Sequence, residues 1–309
     1  PFIGGYFVDM ASWRWIFYMN IPISVVSFAL VLGFLHEKFE KKGKNSIDYW
    51  GALTFTISVS SLLLALLTGG VTYAWNSPVI LSLFGVAAAF LAIFLRIETK
   101  AAEPMLPLSL FRERKIAVPY VLGFFGFCIV AGVTIYIPLW VQNVSAQSAT
   151  ISGLILMPMS LAWPLASNLS GRYMFRFGIK TFMFLGTIFV TMGALWLATL
   201  SEGSPIWHVI GSAILVGFGM GCISTPAIVT IQNSAPEGMR GVATSTNSFV
   251  GALGQTVAVA AFGMLFNRVV IEEVPEQMAD GMHLIFLLLV TLAIVKIAVA
   301  GFLPSKRKA

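Results

Sequence analysis

The sequence predicts an all-α polytopic membrane protein, and three observations carry that prediction. Hydrophobic residues make up 58% of the 309 and charged residues only 10%, with a mean hydropathy of +0.88; soluble domains are about a quarter charged. Apolar runs of about 20 residues, the length a helix needs to cross the hydrocarbon, recur along the chain. The basic residues gather in alternate loops between these runs, as they do where charge sets membrane topology.

The elements follow in order. The opening Pro1-Phe2-Ile3-Gly4-Gly5 is already apolar and glycine-rich, with no initiator Met and no polar leader. The chain is therefore expected to be the later part of a longer polytopic protein. After this fragment, apolar runs at about 16–35, 49–68, 78–97, 116–141, 151–169, 181–199, 206–230, 241–266 and 283–303 predict nine full spans. Pro119 and Pro138 fall near the ends of the fourth run, where a membrane helix tolerates them. A charged link (36–47, HEKFEKKGKNSI) follows the first run, and a second, rich in Pro and charge, covers 98–115. The two spans between the links carry no charged residue until Arg96, and six spans follow. The organisation expected is 1–35 as the end of one helix bundle, 36–115 as cytoplasmic links and two inserted spans, and 116–309 as a six-span bundle with its tail.

Orientation comes from the loops. One set holds Lys38, Lys41, Lys42 and Lys44; Arg96, Lys100, Arg112, Arg114 and Lys115; Arg172, Arg176 and Lys180; Arg240; and Lys306, Arg307 and Lys308. The opposite set holds Arg14 and Arg268 as its only basic residues, together with Glu202, Glu272, Glu273, Glu276 and Asp280. The first set is expected in the cytoplasm, with the C-terminus, and Trp13, Trp75 and Trp207 are expected as interfacial anchors opposite. The net charge of +6 thus reflects topology, and no nucleic-acid partner is expected.

Little in the chain points to catalysis. His36, His208 and His283 lie far apart with no HExxH spacing, and no G-x-S-x-G or P-loop is present. Cys128 and Cys222 sit inside apolar runs and read as packing residues. No catalytic residue, metal site or cofactor is expected.

Polar residues inside spans are the candidates for function, because each needs a partner or water there. Asn247, Gly251 and Gln255, at i, i+4 and i+8 with Gly254 beside them, share a helix face. They line a transport cavity or form an interhelical hydrogen-bonded seam. Gly217, Gly219 and Gly221 precede Ser224-Thr225-Pro226, a hinge on one reading and close helix packing on the other. Lys296 is the only lysine well inside a span. It is expected to snorkel about 10 Å to the cytoplasmic surface or to pair structurally. Arg14, between two tryptophans, is expected to anchor a short loop, and Asn20 to cap the helix after it.

Two strings carry a family resemblance. Pro1-Phe2-Ile3-Gly4-Gly5 is similar to the end of the antiporter motif G-x-x-x-G-P-x-I-G-G, and Ser12-Trp13-Arg14-Trp15-Ile16-Phe17 with Asn20 and Pro22 is similar to the joint S-W-R-W-I-F-x-x-N-x-P. Both belong to the major facilitator superfamily's 14-span drug:proton antiporters of the EmrB/QacA type. The six-span block behind a two-span insert fits that type, and four whole spans would then precede this chain. Gly171, Arg176, Gly178 and Lys180 match the superfamily's cytoplasmic loop signature G-x-x-x-D-R-x-G-x-[RK], although Phe175 stands at the aspartate position. The resemblance implies a partial major facilitator fold in which Pro1, Gly4 and Gly5 help seal two rocking halves. It implies proton-coupled efflux of lipophilic drugs from the bacterial cell membrane. Its partners would be the lipid bilayer, a small lipophilic substrate, protons and, in a two-membrane bacterium, a periplasmic adaptor. A major facilitator transporter for one metabolite is an alternative, and a membrane enzyme or assembly protein a second.

Overall fold

The computed structural model describes residues 2–34, 48–70, 72–101, 104–270 and 274–303; Pro1, the link 36–47, Glu272, Glu273 and the basic tail 306–308 lie outside them. Among the described residues the chain is helical, with nine helices long and apolar enough to cross a membrane. The elements are α1 (Phe2–Met10), α2 (Trp15–Tyr18), α3 (Asn20–Phe34), α4 (Tyr49–Thr68), α5 (Pro78–Glu98), α6 (Arg114–Asn143), α7 (Ala149–Phe177), α8 (Ile179–Ala198), α9 (Ile206–Ser234), α10 (Arg240–Val269) and α11 (Pro275–Gly301), with a 3-10 turn at Leu108–Arg112. Helices are what an apolar chain must form in hydrocarbon, where every backbone donor needs an internal partner.

All nine expected spans appear, and several run longer than the apolar windows. The helix expected over 151–169 continues to Phe177, and the one over 206–230 to Ser234. Polar residues at these ends extend the helix beyond the window that hydropathy detects. Local chemistry sets the starts. Asp48 accepts from the Gly51 amide at 2.7 Å, Ser77 from Ile80 at 3.3 Å and Ser148 from Ile151 at 3.3 Å, each capping a helix N-terminus. Asn20 differs from expectation: its Nδ2 donates back to the Ile16 carbonyl at 2.8 Å, so it closes the turn behind it.

α6 to α11 pack as one bundle. α9 lies between α7 and α8, α6 packs on α10, and α11 covers α8 and α6. Ile129, Val133 and Ile137 of α6 meet Val216 and Met220 of α9, Phe262 of α10, and Ile285, Phe286 and Leu289 of α11 in one core. Glycines allow the close approaches: a Cβ on Gly219 would lie 2.6 Å from the Gly186 carbonyl, and one on Gly193 2.8 Å from the Ser212 carbonyl. This is membrane packing, in which small residues bring backbones together because lipid tails are as apolar as leucine.

α4 and α5 form a separate antiparallel hairpin. Their seam is made of Thr54, Ser58, Ser61 and Ala65 against Ala87, with the Ser58 hydroxyl donating to the Ala87 carbonyl at 2.8 Å. Phe55 joins the hairpin to α10, its ring 5.1 Å from those of Phe94 and Phe249. Near the hairpin turn a cavity of about 470 Å³ is lined by Gly69, Gly70, Trp75, Met264 and Arg268.

Candidate functional site

α6, α7, α9 and α10 together present one aromatic and polar surface. Trp163 and Ser167 lie one turn apart on α7, so their side chains share a face. The Trp163 indole donates to the Ser224 hydroxyl of α9 at 3.3 Å, and the Ser167 and Ser224 hydroxyls are 3.1 Å apart. Ser170 donates to the Gly221 carbonyl at 3.3 Å. Gly221 makes this possible, because a Cβ there would collide with the Trp163 carbonyl and Ala166. The Phe127 ring of α6 stands 6.1 Å from Trp163. Phe127, Trp163, Ser167, Ser224 and Asn247 are all half-buried. Asn247 completes the row from α10: its Oδ1 is buried, has no hydrogen-bond partner among the described residues, and lies 3.5 Å from where a Cβ of Gly123 would be.

The expected stripe on α10 divides. Gly251 is buried against the Phe127 ring, which a Cβ would approach to 2.7 Å, and Gly254 packs on the Phe124 carbonyl. Gln255 is exposed. The structure thus brings Asn247 and Gly251 onto α6 and leaves Gln255 apart from them.

The glycines of α9 pack on both sides of the helix. Gly217 faces the Met159 carbonyl at 2.5 Å from its would-be Cβ, Gly219 faces α8, and Gly221 returns to α7. α9 runs unbroken through Pro226. Close packing accounts for these glycines without a hinge.

The loop-signature residues fall in different settings. Gly178, with φ of +97°, is the single residue joining α7 to α8, a backbone that favours glycine. Arg176 lies over the Phe177 ring at 5.4 Å, and Lys180 opens α8. Gly171 lies inside α7, 3.4 Å from Thr225 at its would-be Cβ, so it packs helices and does not make the turn. Phe175, at the aspartate position, is exposed.

Lys296 corrects the snorkelling expectation. It is wholly buried, with Nζ 3.5 Å from the Met220 sulfur. Gly126 of α6 makes the space, since a Cβ there would lie 2.9 Å from Nζ. The side chain turns into the bundle between α6, α9 and α11, where no carboxylate meets it among the described residues.

The antiporter-motif glycines lie where α1 meets α7. Among the described residues nothing lies within 4 Å of a would-be Cβ on Gly4, whereas one on Gly5 would collide with the Ala149 carbonyl. One turn on, Asp9 accepts hydrogen bonds from the Ala149 amide at 3.3 Å, the Thr150 amide at 2.7 Å and the Thr150 hydroxyl. A carboxylate at a helix N-terminus satisfies orphan donors and complements the helix dipole. Arg14 lies 5.1 Å over the Trp13 ring in the short joint that follows.

Sequence reasoning missed Asp9, Phe127, Trp163 and Ser167. For Asp9 a signal was present: Gly5 and Asp9 stand at i and i+4, a small residue and an acid on one face. For the others the sequence carries none, because their neighbours come from other helices.

A family model described as Major Facilitator Superfamily matches residues 1–259. Multidrug transporter protein MdtP of Bacillus subtilis (strain 168) is 32% identical over 267 residues, 86% of this chain and 49% of its own length. Multidrug resistance protein 3 of the same organism is 34% identical over 273 residues, 87% of this chain and 52% of its own. Efflux pump roqT of Penicillium rubens is 31% identical over 299 residues, covering 92% and 53%. The chain spans about half the length of the curated relatives it matches. A family match over most of the chain, on a helical bundle with packed glycine seams, settles its membership: the chain belongs to the major facilitator superfamily.

Proposed function

We propose that this chain is part of a proton-driven efflux transporter for lipophilic compounds, of the 14-span EmrB/QacA type, and not an enzyme. The observation that carries the reading is the surface of Phe127, Trp163, Ser167, Ser224 and Asn247. It offers two aromatic faces and two hydroxyls, with the buried Asn247 oxygen, which has no partner among the described residues, behind them; this is an apolar site with a few polar groups such as small-molecule pockets use. In this superfamily two bundles rock about a site between them, and α6 to α11 supply one wall. The names of the similar bacterial and fungal proteins support efflux as the direction. The basic loops support an orientation with those loops and the C-terminus in the cytoplasm, in the plasma membrane. Residues 1–35 then end the N-terminal bundle, 36–115 form links and insert, and 116–309 form the C-terminal bundle.

The test is accumulation of a fluorescent lipophilic cation in efflux-deficient cells producing the complete protein. Accumulation should fall below that of control cells, rise again on adding a protonophore, and stay high in cells producing Trp163→Ala at equal membrane level. Equal accumulation with and without the protein would overturn the efflux reading; efflux indifferent to protonophore would overturn proton coupling.

A further inference from the structure

The junction between α1 and α7 contains more than close-packed glycine. α7 is already capped by its own Ser148, whose hydroxyl accepts from Ile151, so the helix does not need Asp9 to begin. Asp9 takes the amides of Ala149 and Thr150, which Ser148 leaves free, together with the Thr150 hydroxyl. The contact reaches across about 140 residues of sequence. Gly5, one turn earlier, lets α1 come near enough for the carboxylate to arrive.

On the reading above, α1 belongs to one rocking half and α7 to the other, and their meeting ends face outward. We propose that Asp9 is an inter-half latch that holds the outer side of the transporter closed by capping the N-terminus of α7. Opening outward separates α1 from α7 and releases two amide donors and a hydroxyl to water. The latch therefore biases the cycle toward the state closed outside, and its strength sets how readily that side opens. The residue is a positioning group; nothing here requires it to touch substrate.

Charge around the junction is sparse. From α7 the groups acting on Asp9 are Ser148, Ala149 and Thr150, all uncharged; Arg14, later in the same joint, is exposed over Trp13. Asp9 is the next-to-last residue of α1, at the edge of the joint that holds Trp13 and Arg14. The Thr150 hydroxyl, and then the Thr150 amide, hold its carboxyl below the usual carboxylate range. A carboxylate depressed in the latched state keeps its contribution above the ordinary value of about 3.9 and loses it as pH falls through the latched value. The latch should therefore be insensitive to external pH between about 8 and 5.

The reporter is a cysteine at Met157, an exposed position seven residues deeper on α7 and on the same face as Thr150. In the complete protein, labelling of Met157→Cys by an impermeant thiol reagent from outside reads opening of that side, against a control lacking this cysteine. Asp9→Asn should raise the labelling rate about fivefold or more, the lower end of a typical coupling between two states. Asp9→Glu should restore part of the closure. The rate in the otherwise unaltered protein, corrected for reagent reactivity, should be flat from about pH 8 to pH 5. Thr150→Val, which removes one donor of three, should give a smaller rise and serves in place of Asp9→Asn if that variant fails to insert. Unchanged labelling in both, with normal membrane level, would overturn the latch. If the protein shows no efflux yet Asp9→Asn still raises labelling, the latch stands and the efflux reading falls.

Discussion

The six-helix bundle and the α4–α5 hairpin are both membrane structures, yet they are held together differently. In the bundle, α9 is gripped from two sides through Gly217, Gly219 and Gly221, and large apolar side chains interlock through a common core. Among the described residues, the hairpin has a seam of small and hydroxyl residues, an interhelical hydrogen bond from Ser58, and an aromatic attachment to α10 through Phe55. Hydrophobicity separates neither region from lipid; van der Waals fit and interhelical hydrogen bonds do. The bundle should therefore behave as one cooperative unit, and the hairpin as a module that can loosen without unravelling it. The hairpin and the proposed transport surface nevertheless share α10, which meets α6 through Asn247 and Gly251 and the hairpin through Phe249.

The largest expected effect lies at the double-sided packing of α9. Gly219→Leu would drive a side chain into the Gly186 carbonyl and Val190, an overpacking that costs about 1–3 kcal/mol or more. Because backbone stands on the other side, relief requires α8 to move. Membrane level and thermal stability should both fall sharply. Gly85→Leu in α5, where no heavy atom lies within 4 Å of the would-be Cβ, should change neither. Equal losses from the two variants, read by quantitative blot and by melting in detergent, would erase the distinction between regions.

Lys296 sharpens the same point inside the bundle. Its stem fills the gap above Gly126, but among the described residues its nitrogen meets just a thioether at 3.5 Å, and a buried polar group without good partners contributes little to stability. Lys296→Met, similar in length, should leave the melting temperature unchanged or higher, whereas Lys296→Ala should cost about 2–4 kcal/mol through the cavity it opens. If Met is as damaging as Ala, the nitrogen itself is structural and has a partner that packing alone does not reveal.

The hairpin should give a smaller and more local response. Phe55→Ala removes both aromatic contacts of the α4 face, worth about 0.5–1.5 kcal/mol for each pair. Proteolysis in the links flanking the hairpin should accelerate while the bundle's melting temperature holds within about 2 °C. A fall in bundle stability equal to that from Gly219→Leu would mean that the hairpin is part of the cooperative unit.

Much of this fold was legible in the sequence, because a span is a one-dimensional signal. Twenty apolar residues between basic loops identify a helix without knowledge of its neighbours, and all nine were found. Helix ends were less legible, since Tyr173 and Arg176 extend α7 beyond any apolar window. The site was legible only in part. Asn247 and Gly251 stood out as polar and small residues in hydrocarbon, but nothing in the sequence says that Phe127 meets Trp163. A helix apolar on all sides carries no periodicity to show which face turns inward. Lys296 was misread for the same reason. Its depth could be counted, but whether the stem turned to the surface or into the bundle depended on a gap that Gly126 makes from another helix.

The smallest expected effect concerns the two amides of α10. Gln255 is exposed and Asn247 is packed beside Gly123, so one sequence stripe has two environments. Gln255→Ala should leave membrane level and stability within about 0.5 kcal/mol, the usual range for surface changes. Asn247→Ala removes an acceptor that no group among the described residues satisfies, so it too should cost little stability, since loss of an unpaired buried group is close to neutral. Their difference should appear in transport. If the Asn247 oxygen receives a donor from the substrate, its loss weakens export of donor-bearing compounds about fivefold to tenfold and spares those without a donor. Resistance profiles across paired compounds, normalised to membrane level, separate the outcomes. A uniform drop for all compounds in Asn247→Ala would assign the residue to the α6–α10 contact. An altered profile in Gln255→Ala as well would return both amides to a single cavity wall.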